Sequence, residues 1–263
     1  MHQITSYLYK EFLEWIRTGR LFVLGIIFFL FGLMNPAIAL ITPWLYEQIS
    51  DSMKEQGIII TNVVVTALTS WQQYYKNVSI LLLITVILFA GGLVQEVHHG
   101  LVIPLLTKGM KRSNLFFTKC LSMCLIFSIL YWFSFGITYG YNACFWDNGI
   151  GSHLVFAGAL PYILGIWLIS LILVSSSFVK NQTAVIGSVG IITFICYGVG
   201  FLPWMEDKVP TKLLTGNQLI IRQTSCSDYI PTIIITLTFI LLHIIIGLFA
   251  FQRKRMDDSF GNG

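Results

Sequence analysis

The chain has 263 residues, of which 56% are hydrophobic and only 11% are charged. An ordinary soluble domain has roughly 25% charged residues, so this composition excludes a soluble globular protein and indicates one integral membrane domain over residues 1–263. The formal charge of +4 comes from the edges of apolar runs and not from a basic patch, and we expect no nucleic-acid partner.

Segment 3–20 predicts an amphipathic helix. Four apolar residues recur at helical spacing on one face: Leu8, Phe12, Trp15 and Ile16. Such a helix is typical of the membrane interface, and we expect Phe12, Trp15 and Arg17 to define it. The alternative is a simple extension of the first span beyond the membrane.

Six apolar runs follow, and they predict an all-α membrane protein with six transmembrane helices. The predicted spans are 21–42, 78–94, 114–141, 154–179, 183–205 and 229–251. We expect Pro36 to kink the first span. The long connections 43–76 and 206–228 are expected to carry short helices on the outer surface, with Trp71, Tyr74 and Tyr75 as interfacial anchors.

The basic residues give an orientation. If the N-terminus is inside, the chain places eleven Lys and Arg residues on the inner side and five on the outer side. Because Lys and Arg near span ends resist translocation, this asymmetry predicts that both termini are cytoplasmic.

The longest polar interruption between apolar runs is the loop 95–113. A short apolar patch at 101–106 lies between Glu96 and a set of cations: Lys108, Lys111, Arg112 and Lys119. The patch is far shorter than the roughly 20 residues that cross a bilayer. It therefore predicts a short surface helix or a re-entrant turn that a partner could grip.

Motifs for catalysis and for nucleotide binding are missing from the sequence. It contains no G-x-S-x-G, no HExxH and no phosphate-binding GxxxxGK[ST], so we expect neither enzymatic activity nor a cofactor in this chain. Adjacent His98 and His99 diverge on a helix, which disfavours a metal site with Glu96. Five cysteines lack metal-ligand spacing, and a disulfide between Cys144 and Cys226 stays open.

The 95–113 loop resembles the loop between the second and third spans of type-2 ABC exporter permeases. That loop reads Glu, three residues, Gly, a Leu-rich turn, Lys-Pro-Val-Ser-Arg and a Lys about two turns later. The matching residues here are Glu96, Gly100, Leu105, Leu106, Lys108, Arg112 and Lys119. Two positions depart from the pattern, because Gly109 replaces the usual Pro and Pro104 falls inside the expected helix.

The resemblance implies that the loop is a coupling helix that docks on a separate ATPase subunit. The implied docking residues are Glu96, His99, Gly100, Leu105, Leu106, Lys108 and Arg112. It also implies a bacterial plasma-membrane assembly of two permease subunits and two ATPase copies, in which the ATPase binds ATP and Mg²⁺.

Export of an amphipathic or hydrophobic cargo, such as a peptide, toxin or antimicrobial, is the expected activity. The alternatives are a membrane scaffold that binds another cytosolic partner and a stand-alone channel. A neighbouring gene for an ATPase would favour the exporter over both.

Overall fold

A computed structural model describes residues 2–54 and 65–254, and all regular structure in those ranges is helical. The α-helices in chain order are α1 (His2–Arg17), α2 (Arg20–Lys54), α3 (Ala67–Phe89), α4 (Gly91–His98), α5 (Ile103–Thr107), α6 (Arg112–Phe145), α7 (Leu154–Phe178), α8 (Gln182–Val199), α9 (Asn217–Ile220) and α10 (Ile230–Arg253). Short 3-10 turns occupy Asn148–Ile150, Glu206–Lys208, Pro210–Thr215 and Cys226–Tyr229.

Six of the described helical segments are long and apolar enough to cross a membrane, which confirms the predicted architecture of a multi-pass helical membrane protein. They are Arg20–Gln48, Ala67–His98, Arg112–Phe145, Leu154–Phe178, Gln182–Val199 and Cys226–Arg253. Because consecutive spans alternate in direction, α5 and the α7–α8 turn lie at one end of the bundle. The α6–α7 connection and segment 200–229 lie at the other.

The helices on both sides of the first connection are longer than predicted. Helix α2 continues through Pro43 to Lys54, and α3 begins at Ala67 and not near residue 78. The prediction that Trp71, Tyr74 and Tyr75 are interfacial anchors was wrong. All three belong to α3 and are buried, and the Trp71 ring lies 5.1 Å from the Phe135 ring of α6. Clustered aromatic residues suit both a membrane interface and a packed core, so composition alone does not separate the two. The centre of this connection, 55–64, lies outside the described residues.

A proline in α2 is compensated by a neighbouring helix. Pro36 has no backbone N–H, so the carbonyl of Gly32 loses its helical donor. The Thr138 hydroxyl of α6 donates to that carbonyl at 2.8 Å. A side chain at Gly32 would lie 2.9 Å from the Ser134 carbonyl oxygen, so the close approach of α2 and α6 depends on glycine at this position.

An amide pair connects α2 to α3 within the apolar interior. The Asn77 side-chain amide donates to the Asn35 carbonyl oxygen at 2.8 Å, and both residues are buried. Hydrocarbon offers no alternative partner, so the pair fixes how the two helices face each other.

Helix α7 is the most enclosed span, and α10 packs along it. Here His243 of α10 shares a 3.0 Å hydrogen bond with Ser170 of α7. This bond ties the imidazole of α10 to the neighbouring helix.

Segment 210–220 closes the end of the bundle opposite α5. The sequence predicted a surface helix here, whereas the structure has a 3-10 turn followed by the four-residue α9, with Leu213, Leu219 and Ile220 buried. These apolar residues face inward because the ends of α3, α7 and α10 leave apolar surface to cover. All five cysteines are free.

Candidate functional site

Helix α4 continues to His98, inside the predicted loop 95–113, and ends there at a glycine cap. Gly100 has φ = +68°, a conformation that only glycine adopts without strain. The Leu101 N–H donates to the Glu96 carbonyl at 3.0 Å, and the Gly100 N–H donates to the Val97 carbonyl at 3.2 Å. This paired arrangement is a Schellman motif, and it reverses the chain sharply after α4.

The apolar patch contains a short helix, α5 (Ile103–Thr107), whose side chains are exposed or half-buried. Pro104 occupies its first turn, where the absent N–H costs no hydrogen bond. Val102 anchors the turn before it with 1% exposure. Ile103 is exposed, and Leu105 and Leu106 are half-buried.

A second Schellman motif ends α5. Gly109 has φ = +85°, its N–H donates to Leu106 at 3.0 Å, and the Met110 N–H donates to Leu105 at 3.1 Å. Proline is locked near φ = −65° and could not adopt this conformation. The departure from the type-2 pattern at Gly109 therefore gives α5 a glycine cap in place of a proline.

A buried ion cluster lies beneath the loop, where α1, α4 and α6 meet. The Lys119 Nζ of α6 lies 2.6 Å from a Glu11 carboxylate oxygen and 2.9 Å from one of Glu96. The exposed fractions of the residues are 2% for Lys119, 0% for Glu11 and 4% for Glu96. Lys119 therefore does not belong to the exposed cations of the loop, and its charge is neutralised by α1 and α4.

Two residues of α1 complete the cluster. The Lys10 Nζ lies 3.1 Å from Glu96 and 2.7 Å from Glu14, and the Tyr7 hydroxyl donates to Glu96 at 3.3 Å. Burial lowers the pKa of Lys10, but Glu96, Glu14 and Glu11 together outweigh burial and raise it. Burial and the same two carboxylates, Glu96 and Glu11, raise the pKa of Tyr7, so its hydroxyl stays a donor at neutral pH.

Three carboxylates of the cluster, from Glu11, Glu14 and Glu96, approach within 4.8 Å of one another. Such grouping is a feature of cation sites, but here two ammonium groups lie among the carboxylates at hydrogen-bond distance. The lysines supply the positive charge that a metal ion would otherwise bring. The cluster therefore acts as a structural tie between α1, α4 and α6.

Cationic side chains also cap the C-terminal ends of helices on this side of the bundle. Arg112, the first residue of α6, donates to the carbonyls of Gln252 and Lys254 at 3.0 and 2.8 Å. Lys254 donates to Ser176 and Val179 near the end of α7, both at 2.9 Å. These bonds satisfy terminal carbonyls that have no donor in their own helix. Burial and nearby Lys180 lower the pKa of Lys254.

A chain of side-chain hydrogen bonds joins α2, α8 and α3 to α4. Arg20 at the start of α2 donates to Gln95 at 3.1 Å, and Gln95 donates to Gln182 of α8 at 2.7 Å. Gln182 in turn donates to the Ile87 carbonyl of α3 at 3.1 Å. The residues just before Gly100 thus contact most of the bundle.

The structure divides the sequence-predicted site residues into two groups. His99, Lys108, Phe12 and Arg17 are exposed, whereas Glu96 and Trp15 are buried and Arg112 is half-buried. Trp15 shares a helix with Phe12 but packs inward, with its ring 5.0 Å from that of Phe89. The sequence reading missed Glu11, which follows Tyr7 and precedes Trp15 by four residues each on the inward face; that spacing is the signal that could have revealed it.

No protein-family model matches the chain, and no curated protein matches it significantly.

Proposed function

We propose that this chain is the membrane-spanning permease subunit of an ATP-driven exporter, with α5 as the element that a separate ATPase subunit grips. One observation carries the proposal. A short helix with exposed apolar and cationic residues lies at the end of the bundle between two glycine-capped turns, next to a buried ion cluster.

The contacts around α5 suit the transmission of movement. A rigid-body shift of α5 acts on α4 and α6, between which it is connected, and the ion cluster links both helices to α1. Arg112 extends the connection to α10, and Gln95 extends it to α2 and α8. A motion applied to α5 would therefore be transmitted to five of the six spans. This transmission needs no charged side chains at the centre of the membrane.

We propose different roles for the two groups of residues. Leu105, Leu106, Lys108 and His99 contact the ATPase, because their side chains are at least partly exposed. Glu96 and Arg112 are positioning residues, since their polar atoms already bind partners within the chain. Gly100 shapes the turn that presents α5.

The remaining parts of the proposal extend the resemblance. Helix α1 lies in the membrane interface with Phe12 and Arg17 outward, both termini are cytoplasmic, and two such subunits pair in a bacterial plasma membrane. The ATPase subunits bind ATP and Mg²⁺, and the cargo is amphipathic or hydrophobic, such as a peptide, toxin or antimicrobial.

The test is purification of the full-length chain from its native host in mild detergent. We expect a P-loop ATPase to co-purify in stoichiometric amount, with its hydrolysis rate raised in the complex. Leu105→Glu and Lys108→Glu should abolish co-purification, whereas Lys208→Glu, an exposed cation at the opposite end, should retain it. A preparation without ATPase, even after cross-linking, would overturn the proposal in favour of a scaffold or a channel.

A further inference from the structure

Two neighbouring cavities between α8 and the helices around it share two wall residues, and we refer to them together as the cleft. The first, of about 440 Å³, lies between α3, α7 and α8. The second, of about 340 Å³, lies at the end of the bundle opposite α5. Tyr197 and Thr211 line both cavities. Each volume is in the range of ordinary ligand pockets.

The cleft is apolar over the part that lies between the spans. Its walls there include Leu82, Val86, Leu168, Val189, Phe194 and Tyr197. Thr193, one of the few polar residues in this part, donates its hydroxyl to Val189 of its own helix at 2.8 Å. Along α8 the apolar part runs from Ile186 to Tyr197, or roughly 16 Å at the helical rise per residue.

The other end of the cleft is polar and carries charge. Glu206 and Lys212 line it together with Thr211 and Thr215. The Lys212 ammonium is paired with the Asp207 carboxylate, donates to the Asp228 carbonyl, and lies 5.5 Å from the centre of the Tyr229 ring. Glu206 has no ion pair among the described residues and is exposed. Among the charged residues that line this end, the one without an ion pair is therefore a carboxylate; Lys208, in the same turn, is exposed but does not line the cleft.

We propose that the cleft binds a cationic amphiphile, with its apolar part between α3, α7 and α8 and its cationic group beside Glu206. The walls exclude a strongly polar ligand from the inner part, because a buried polar group without a partner is costly. The carboxylate favours a cation over an anion at the mouth. Only the step that makes this ligand the exported cargo rests on the proposed function; the binding itself is a property of this chain.

Two glycines of α8 offer a matched steric test. A Cβ atom added at Gly190 or at Gly187 would meet no atom within 4 Å, so neither position is crowded at the backbone and both are suitable for replacement by leucine. Gly190 lines the cleft, whereas Gly187 does not. Gly190→Leu therefore fills the cleft, and Gly187→Leu adds the same bulk outside it.

The experiment uses the purified full-length chain in phosphatidylcholine nanodiscs, without any ATPase. The probes are dansyl-undecyl-trimethylammonium and dansyl-undecanoic acid, which share a chain and a fluorophore and differ in the sign of the charged group. We expect saturable binding of the cationic probe above that of empty nanodiscs, and binding of the anionic probe that is weaker by about fivefold.

Gly190→Leu should weaken binding of the cationic probe by about tenfold, since the ligand volume is occupied, and Gly187→Leu should leave it unchanged. Glu206→Gln should remove the difference between the probes, and Glu206→Asp should restore it. Equal binding of both probes, equal effects of the two leucine variants, or no saturable binding would each overturn the proposal. Saturable binding in a chain that captures no ATPase would leave the cleft in place and overturn the exporter assignment alone.

Discussion

The Lys119 ammonium and the Glu11 carboxylate, 108 positions apart in sequence, lie 2.6 Å from each other with almost no exposure to solvent. Because the pair is buried, removing one partner should lower the stability of the folded chain. The other charge would then stay in a low-dielectric site without full compensation.

Lys119→Gln should therefore destabilise the protein by about 3–5 kcal/mol. This loss corresponds to a decrease of about 10 °C in the unfolding midpoint of a chain of this size. Thermal unfolding in detergent, followed by circular dichroism, measures the change. Lys76→Gln, which removes an exposed cation from α3, should shift the midpoint by less than about 2 °C. Adding Glu11→Gln to Lys119→Gln should recover part of the loss, and strict additivity would argue against a direct interaction.

The caps of α5 give a second prediction. Gly109→Ala should cost about 1–2 kcal/mol locally, because alanine is strained at φ = +85°. No atom lies within 4 Å of the added methyl group, so the cost is due to the backbone alone. Hydrogen exchange of the amides of 105–110 should become faster. Gly136→Ala in α6, equally open but at an ordinary helical φ, is the control and should leave exchange in the loop unchanged.

The amide pair between α2 and α3 can be tested by a double-mutant cycle. Asn35→Leu or Asn77→Leu alone strands the other amide in an apolar interior, and each should lower the unfolding free energy by about 1 kcal/mol. The double variant should be less destabilised than the sum of the two single variants. A coupling energy of zero would contradict the hydrogen bond of 2.8 Å.

The bond from Thr138 to the Gly32 carbonyl should matter only because Pro36 is present. Thr138→Val is expected to cost about 0.6 kcal/mol, the average for a hydrogen bond between membrane helices. In a Pro36→Ala background the carbonyl regains its helical donor, and Thr138→Val should then cost measurably less. The same cost in both backgrounds would show that the hydroxyl does not compensate for the proline.

We predict that Arg112 stabilises the C-terminal end of α10. Arg112→Gln removes a cation that donates to Gln252 and Lys254, so the amides of 250–254 should exchange faster while the midpoint of global unfolding changes by less than about 3 °C. If the chain belongs to the exporter proposed above, Arg112→Ala and Glu96→Ala should uncouple ATP hydrolysis from export. Unchanged cargo-stimulated hydrolysis in both variants would contradict their positioning role.

Hydropathy was sufficient to predict six spans, because a run of about 20 apolar residues has few other stable environments. It also placed α5, since a short apolar patch between charges cannot cross the bilayer. The residues that hold α5 in place were harder to predict. The partners of Glu96 come from α1 and α6, and no local pattern in the sequence indicates which distant lysine will reach it.

The inward face of α1 shows a second limit of sequence reasoning. Amphipathicity assigned Trp15 to the same surface as Phe12, but the protein interior beneath α1 is itself charged. Glu11 is therefore on the buried face beside Trp15, while Phe12 remains exposed. Hydrophobic periodicity finds a helix reliably and identifies its buried face only where the interior is apolar.

The two glycine caps make the backbone of 96–110 self-sufficient, since its turns are closed by hydrogen bonds within the segment. The exposed side chains at 99, 103 and 108 contribute little to that framework. They can change in evolution, or be exchanged with those of another protein, while the turn keeps its shape. The residues that select a partner are in this way separate from the residues that stabilise the membrane domain.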